Sequence, residues 1–314
     1  MKFISKYKSP AVFLALVLLT ASCSLISTSG GGGNSGTVTG LHPLGAKFDN
    51  AALSVKMQLS ESAGSGTLPA GPVDLSSGGY FPPIGDQGSN GDCVAWATAY
   101  YMLTYMAAKA NGWSPAEVAT ASYEFSPDWV YYQINSGIDD GSFPSDAFSL
   151  IVLKGCDTLN NFNLNGFPYY NSDWPSVPGD YSTAINYAQP GWSYVNQDVG
   201  SIETVLASGK PVVIAIMVYT PDFDTLSTNG IYHTTNAFTN YQSTSPYNGQ
   251  SFTGTIYTNS NYRGGHAICL VGFDNTKGAF KFINSWTSSW GISGYGWITT
   301  NFVNSVIIEA LTFN

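Results

Sequence analysis

Asp86-Gln87-Gly88-Ser89-Asn90-Gly91-Asp92-Cys93 is the stretch on which the reading of this chain turns. It ends in a cysteine, and residues 94–109 behind it are apolar, alanine-rich and free of Gly and Pro. Cys93 should therefore open a helix, where the aligned peptide dipoles favour a thiolate. Gln87, six residues earlier, supplies a side-chain amide donor. Two further islands lie far downstream: Gly264-Gly265-His266-Ala267-Ile268 and Phe282-Ile283-Asn284-Ser285-Trp286. A thiol nucleophile needs a base to ionise it, and the base needs a third group to hold its ring. The acyl intermediate needs a donor where its negative charge develops. Cys93, His266, Asn284 and Gln87 fill those four roles, which points to a cysteine hydrolase.

Composition narrows the partners. The formal charge is −9, from 11 Lys+Arg against 20 Asp+Glu, and 10% of residues are charged. No basic patch is available to neutralise phosphates, so nucleic acid is excluded as partner, and anionic lipid with it. At 314 residues and 44% hydrophobic content the chain can bury one large core or two smaller ones. No His-Glu-x-x-His, paired Cys-x-x-Cys or phosphate-cradling Gly-rich loop occurs, so neither metal nor cofactor is expected. Asp86, Asn90 and Asp92 faintly imitate a calcium loop, but its twelfth position is Ala97 instead of Glu. A Gly-x-Ser-x-Gly elbow is also lacking, against a serine nucleophile.

The N-terminus reads as an export signal. Lys2, Lys6 and Lys8 precede an apolar run over 11–19 that is too short for a permanent membrane span. Thr20-Ala21-Ser22-Cys23 follows. Small residues before a cysteine resemble a bacterial lipobox, with Cys23 as the lipidated residue and Thr20 where Leu is usual; cleavage after Ala21 or Ser22 with Cys23 incidental is the alternative. The expected organisation is a signal peptide over 1–22, a Ser/Gly-rich tether over 23–40, a spacer or short pro-segment over 41–71, and one domain over 72–314. Leu53, Val55, Met57 and Leu59 alternate with polar neighbours and suggest one strand within 41–71. His42 and His233 read as surface residues of the tether and of a polar insertion over 219–263. The protein is expected outside the cytoplasm, at the cell envelope or surface, touching a membrane only through a lipid on Cys23.

From Pro72 onward the chain resembles the papain-like (C1) cysteine peptidases, particularly bacterial members. The resemblance is carried by Pro72-Val73-Asp74-Leu75, by Phe81-Pro82-Pro83-Ile84-Gly85-Asp86-Gln87-Gly88, by the Gln87-to-Cys93 spacing and by the His266 and Asn284 islands. It implies an oxyanion hole from Gln87 and the Cys93 N–H, and a peptide or protein substrate. It implies main-chain substrate contacts from Gly141 and Ser142 and an upstream side-chain pocket lined by Pro144. Gly265, just before the histidine, opens the adjacent pocket, and Trp290 walls the leaving-group side. The match departs in places. Asn90, Asp92 and Val94 stand where the family has Cys, a small residue and an aromatic, and His266 and Asn284 follow Cys93 by 173 and 191 residues, beyond the family's ~130–150. Asp92 opposes thiolate formation unless it caps the helix and points away. Cys156 and Cys269 could bridge in an oxidising compartment; spacing does not decide it.

Helical periodicity over 91–200 gives way to strand-like segments at 211–219, 266–273, 279–284, 295–300 and 306–313. The expected class is α+β, a two-lobed papain-like fold in which a helical lobe faces a β-barrel-like antiparallel lobe across the cleft. Cys93 would come from one wall, His266 and Asn284 from the other. The leading function is a secreted or surface-tethered cysteine endopeptidase. The alternative is a peptide-binding or adhesion lipoprotein on the same fold without turnover; an acyl or amide transferase ranks third.

Overall fold

The computed structural model describes residues 42–47, 71–135, 138–164, 182–219, 223–224, 226, 230–232, 242–244, 251–253, 262–300 and 306–314. The signal, Cys23, the tether, the 53–59 strand, His233 and most of the 219–263 insertion lie outside these residues.

The helices begin where the sequence supplies N-terminal signals. Helix α1 (Cys93–Ala95) continues through a π-helical stretch (Trp96–Leu103) into α2 (Thr104–Asn111), which stops at Gly112 in the left-handed region, φ 67°. The expected single helix is thus widened in its middle turn, as helices often are near functional sites. Ser114 and Glu117 form a capping box at α3 (Pro115–Val118). Ser126 accepts from the Trp129 N–H at 3.1 Å to start α4 (Pro127–Ile134). Proline opens α3, α4 and α5 (Pro144–Lys154), where its missing N–H costs nothing. Asp198 caps α6 (Val199–Ala207), accepting from Ser201 N at 2.8 Å.

Among the described residues ten strands follow or flank these helices: β1 (Val73–Asp74), β2 (Trp192–Tyr194), β3 (Val212–Tyr219), β4 (Ile231–Tyr232), β5 (Gln242–Thr244), β6 (Ser251–Thr253), β7 (Tyr262–Asp274), β8 (Ala279–Ile283), β9 (Tyr295–Thr299) and β10 (Ile307–Phe313). The main sheet runs β2-β10-β3-β7-β8-β9-β4, with β1 also on β7 and a separate β5-β6 hairpin. Pairing is antiparallel except at the edge, where β4 runs parallel to β9; the sheet is therefore not wholly antiparallel as expected. The five long strands fall where periodicity put them, β7 starting four residues earlier than the expected 266.

The central strands are buried on both faces, which is why β3 reads as the unbroken apolar run Val-Val-Ile-Ala-Ile-Met-Val-Tyr. Alternate residues serve different cores. Val213, Ala215, Ala267, Cys269 and Val271 join the helical core with Val94, Ala97, Met102, Trp129, Phe148 and Phe313. Ile214, Ile216, Ile268, Leu270, Phe280, Phe282 and Ile298 form the second core on the opposite face. Small residues on the helix-facing side, Ala215, Ala267 and Cys269, let the helix that Cys93 opens lie close to the sheet.

Candidate active site

Each site residue is held by an element the sequence specifies. Cys93 is the first residue of α1 and is fully buried. His266 sits mid-strand in β7 opposite Ile216, and Asn284 follows directly on β8. The register of β7 on β8, with Cys269 opposite Ile283, brings the imidazole against the Asn284 amide. His266 Nε2 and Asn284 Oδ1 lie 2.8 Å apart. Asn284 Oδ1 also accepts from Ser285 N at 2.9 Å, so it is the acceptor and the ring carries its proton on Nε2. That leaves Nδ1 for proton transfer, and Nδ1 has no hydrogen-bond partner among the described residues.

Gln87 is set by the loop that follows Asn284. Its Oε1 accepts from Ser285 Oγ at 2.7 Å and from Trp286 Nε1 at 2.9 Å. Its backbone N–H donates to Ser285 O at 2.9 Å, and Asp86 pairs with Trp286. With the carbonyl so occupied, the amide NH2 faces the cleft. Ser285 was not singled out from the sequence; its place beside Asn284 was the available signal. Trp286 covers the His266 ring, centroids 4.8 Å apart, and its indole N–H also orients Gln87. Trp290 packs behind it at 5.8 Å and donates to Phe223 O at 3.1 Å. Phe223 stands edge-on to His266, 5.5 Å away, and was missed because it lies in the polar insertion.

The cleft is filled by residues 42–47 of the chain itself. His42 stacks on Trp286 with ring centroids 5.1 Å apart and planes at 10°, and its Nδ1 lies 3.7 Å from Asp86. The expectation of a surface histidine is corrected: an aromatic floor and a carboxylate hold it, and no local pattern announces either. Pro43 O accepts from Gln87 Nε2 at 3.2 Å. The Gly45 N–H favours the Cys93 thiolate, against the effect of burial. Ala46 N donates to Gly265 O at 3.1 Å, Ser142 N to Gly45 O at 2.8 Å, and Lys47 N to Ser142 O at 2.9 Å. Lys47 then pairs with Asp140. Ser142 and Gly265 therefore bond an extended main chain and Gly141 lies close against it, its own N–H donated to Tyr131 Oη, while Pro144 opens α5 two residues further on, outside those contacts. Ala46 and Ser142 pair in parallel.

Glycine is required where this strap passes the thiol. A Cβ on Gly45 would lie 1.8 Å from Gly91 O, and one on Gly141, at φ +93°, would lie 2.2 Å from Gly45 O.

The electrostatics are those of a covered, uncharged pair. Burial pushes the Cys93 thiol up to about 12, against the opposing effect of the Ala267, Gly45 and Val94 N–H groups. Ala267 N donates to the sulfur at 3.4 Å. Burial likewise holds His266 down to about 3, with the Asn284 bond opposing and Arg263 and His42 adding to the depression. Asp92 neither caps α1 with its side chain nor faces water; it is buried and accepts from Trp96 Nε1 at 3.1 Å. Burial, with Asp128 nearby, raises its carboxyl well above the ordinary range, which favours the neutral form; any charge it carries adds to the upward push on the Cys93 thiol. Cys156 and Cys269 are both free and buried, so the bridge left open by sequence is not formed. Among the described residues no group of His, Cys, Asp and Glu is disposed to hold a metal ion.

Residues 237–313 match the family model of papain family cysteine proteases, a stretch that contains His266 and Asn284 and stops short of Cys93 and Gln87. The structure superposes on the crystal structure of xylellain, a cysteine protease from Xylella fastidiosa, with TM-score 0.60 and 20% identity over 86% of this chain and 91% of that one. The fold is papain-like. Two curated relatives align over most of the chain. Gamete and mating-type specific protein A of Dictyostelium discoideum is 28% identical over 245 residues, 75% of this chain and 44% of its own length. Cathepsin K of Gallus gallus is 26% identical over 237 residues, 73% of this chain and 58% of its own length. The chain thus spans about half the length of these relatives. The family-model match is to cysteine proteases of the papain family, and the solved structure adds the fold alone.

Proposed function

We propose that this chain is an exported papain-like cysteine endopeptidase, held latent by its own residues 42–47. What supports the reading is that His266 meets Asn284, Gln87 is turned by Ser285 and Trp286, and the Cys93 sulfur accepts from the Ala267 N–H next to the histidine, beside an extended main chain of residues 42–47. Once the strap leaves, water reaches the pair and the desolvation that keeps it neutral falls away, so His266 Nδ1 can take the Cys93 proton. The thiolate attacks the scissile carbonyl carbon, and the oxyanion is held by the Gln87 amide and the Cys93 N–H. His266 returns its proton to the departing amine, leaving a thioester. Water, deprotonated by His266, then attacks the thioester, and the acid leaves with the thiol restored. The basic n-region, the short apolar run and Ala21-Ser22-Cys23 support export, with a lipid on Cys23 as the tether.

A peptidyl epoxide distinguishes this from a silent binding module. The full chain should label slowly at Cys93, Gly45→Leu should label at least ten times faster because the strap cannot seat its side chain, and Gly45→Leu with His266→Ala should not label. A folded Gly45→Leu protein that stays unlabelled favours the binding module, for which the occupied cleft is the supporting observation. Incorporation of labelled palmitate, lost in Cys23→Ser, tests the tether.

A further inference from the structure

Arg263 has no part in the chemistry above, yet it is buried beside it. It lies in β7 three residues before His266, its side chain 15% exposed, paired with Asp224, whose side chain is 5% exposed. Its guanidinium carbon stands 5.7 Å from the centroid of the Trp286 ring, on the aromatic floor that also carries His42. Its Nη2 donates to the main-chain carbonyl of His42. A buried cation is expensive to desolvate, and Asp224 with the Trp286 face offsets that cost while leaving a donor directed into the cleft.

We propose that Arg263 is a specificity-determining clamp for the main chain of the leaving segment, an inference that rests on the peptidase reading. Pro43 and His42 present consecutive carbonyls, the first to the Gln87 amide and the second to Arg263. In a substrate the carbonyl held by Gln87 is the scissile one. The next carbonyl on the Trp286 side belongs to the first residue beyond the cut, one residue step or ~3.5 Å along an extended chain. The strap pairs in parallel with Ser142, so its direction is fixed, but the spacing between neighbouring carbonyls is the same whichever way a chain runs. When the strap leaves, Arg263 loses its acceptor, and a peptide leaving group restores it where a small aryl amide cannot. The site therefore favours internal bonds of polypeptides over amides with nothing beyond the cut. Asp224 holds the fork in place and is a positioning residue.

The test compares two substrates with one acyl sequence, an internally quenched peptide with three residues beyond the cut and the corresponding coumarin amide. Because both meet the same enzyme, the ratio of their kcat/KM values is independent of how much of it is free of the strap. Arg263→Gln should lower that ratio roughly tenfold, the scale of a lost hydrogen bond to a charged group. Arg263→Lys, which keeps the charge but not the fork, should fall between and serves alone if the Gln variant does not fold. An unchanged ratio, with the two substrates falling together or not at all, overturns the clamp and leaves the peptidase standing. Failure of Gly45→Leu protein to cleave either substrate or to label at Cys93 overturns the peptidase reading and the clamp with it.

Discussion

Gln87 is the residue whose orientation is most exposed to single changes. An unrestrained amide can turn its oxygen to the cleft, where it would repel an oxyanion; Ser285 Oγ and Trp286 Nε1 prevent that by occupying the oxygen. Removing an oxyanion donor outright costs about 10²–10³ in kcat, so Gln87→Ala should fall in that range. Ser285→Ala leaves the Trp286 bond and should cost about tenfold, expressed in the acylation rate with KM little moved, as stopped-flow kinetics on strap-free enzyme can read. Asp92→Asn tests the neighbouring carboxyl. Because burial already favours the neutral acid, the isosteric amide should leave epoxide labelling of Cys93 nearly unchanged. A large gain on this substitution would mean that Asp92 carries a charge.

At the scale of elements, the site depends on how closely the nucleophile helix approaches β3 and β7. Ala215 and Ala267 face that helix with almost no exposed surface. Ala215→Leu adds three carbons to a filled space and should cost about 1–3 kcal/mol, read as a lower urea midpoint at unchanged slope. Tyr101 ties the two walls together: its hydroxyl donates to Asn284 O at 2.9 Å and accepts from Gly85 N at 3.0 Å. Tyr101→Phe should destabilise by about 1–3 kcal/mol, since it strands a buried carbonyl and an N–H. The chain also shows why boundaries are harder to read than elements. β7 starts early because Gly264 and Gly265, which carry no strand signal, extend the pairing with β3, and Tyr262 rejoins it past a register shift at Arg263. The middle of the nucleophile helix widens into π-helix, although its apolar composition is that of any buried helix.

For the molecule as a whole, the docked strap makes stability depend on pH. His266 in the unfolded chain takes a proton as pH falls through 6.5, whereas the buried ring resists until about 3. Its contribution is therefore full above 6.5 and is lost as pH falls across that interval. The thiol works in the other direction. An unfolded cysteine ionises near 9.0 and the buried one only at about 12, so stability is lost as pH rises from 9. Thermal melts of the full chain from pH 4 to 8, set against His266→Gln, should show the wild type losing ground to the variant below 6.5. Epoxide labelling should quicken over the same range as acid loosens the strap. A difference between the two melts that stays flat with pH would mean that the ring is not held neutral.

The four candidate residues, Cys93, Gln87, His266 and Asn284, were legible because each carries a local signature: a cysteine heading an apolar stretch, a glutamine six residues before it, a histidine after two glycines, an asparagine before Ser-Trp. The α+β class and the long strands were legible for the same reason, since period and breakers are properties of short windows. The strap was not. His42-Pro43-Leu44-Gly45-Ala46-Lys47 has no periodicity, and its partners Ser142, Gly265 and Trp286 lie about a hundred to 240 residues away. Its role in filling the cleft comes from main-chain hydrogen bonds, which side-chain identity hardly records. Arg263 and Phe223 were hidden likewise, because a polar insertion gives no sign of which residue turns inward. The sequence by itself determined which groups could do chemistry and which segments would be helix or strand; only the tertiary structure decided that the thiol and imidazole are buried, neutral and covered, because burial belongs to the packed neighbours and not to the residue.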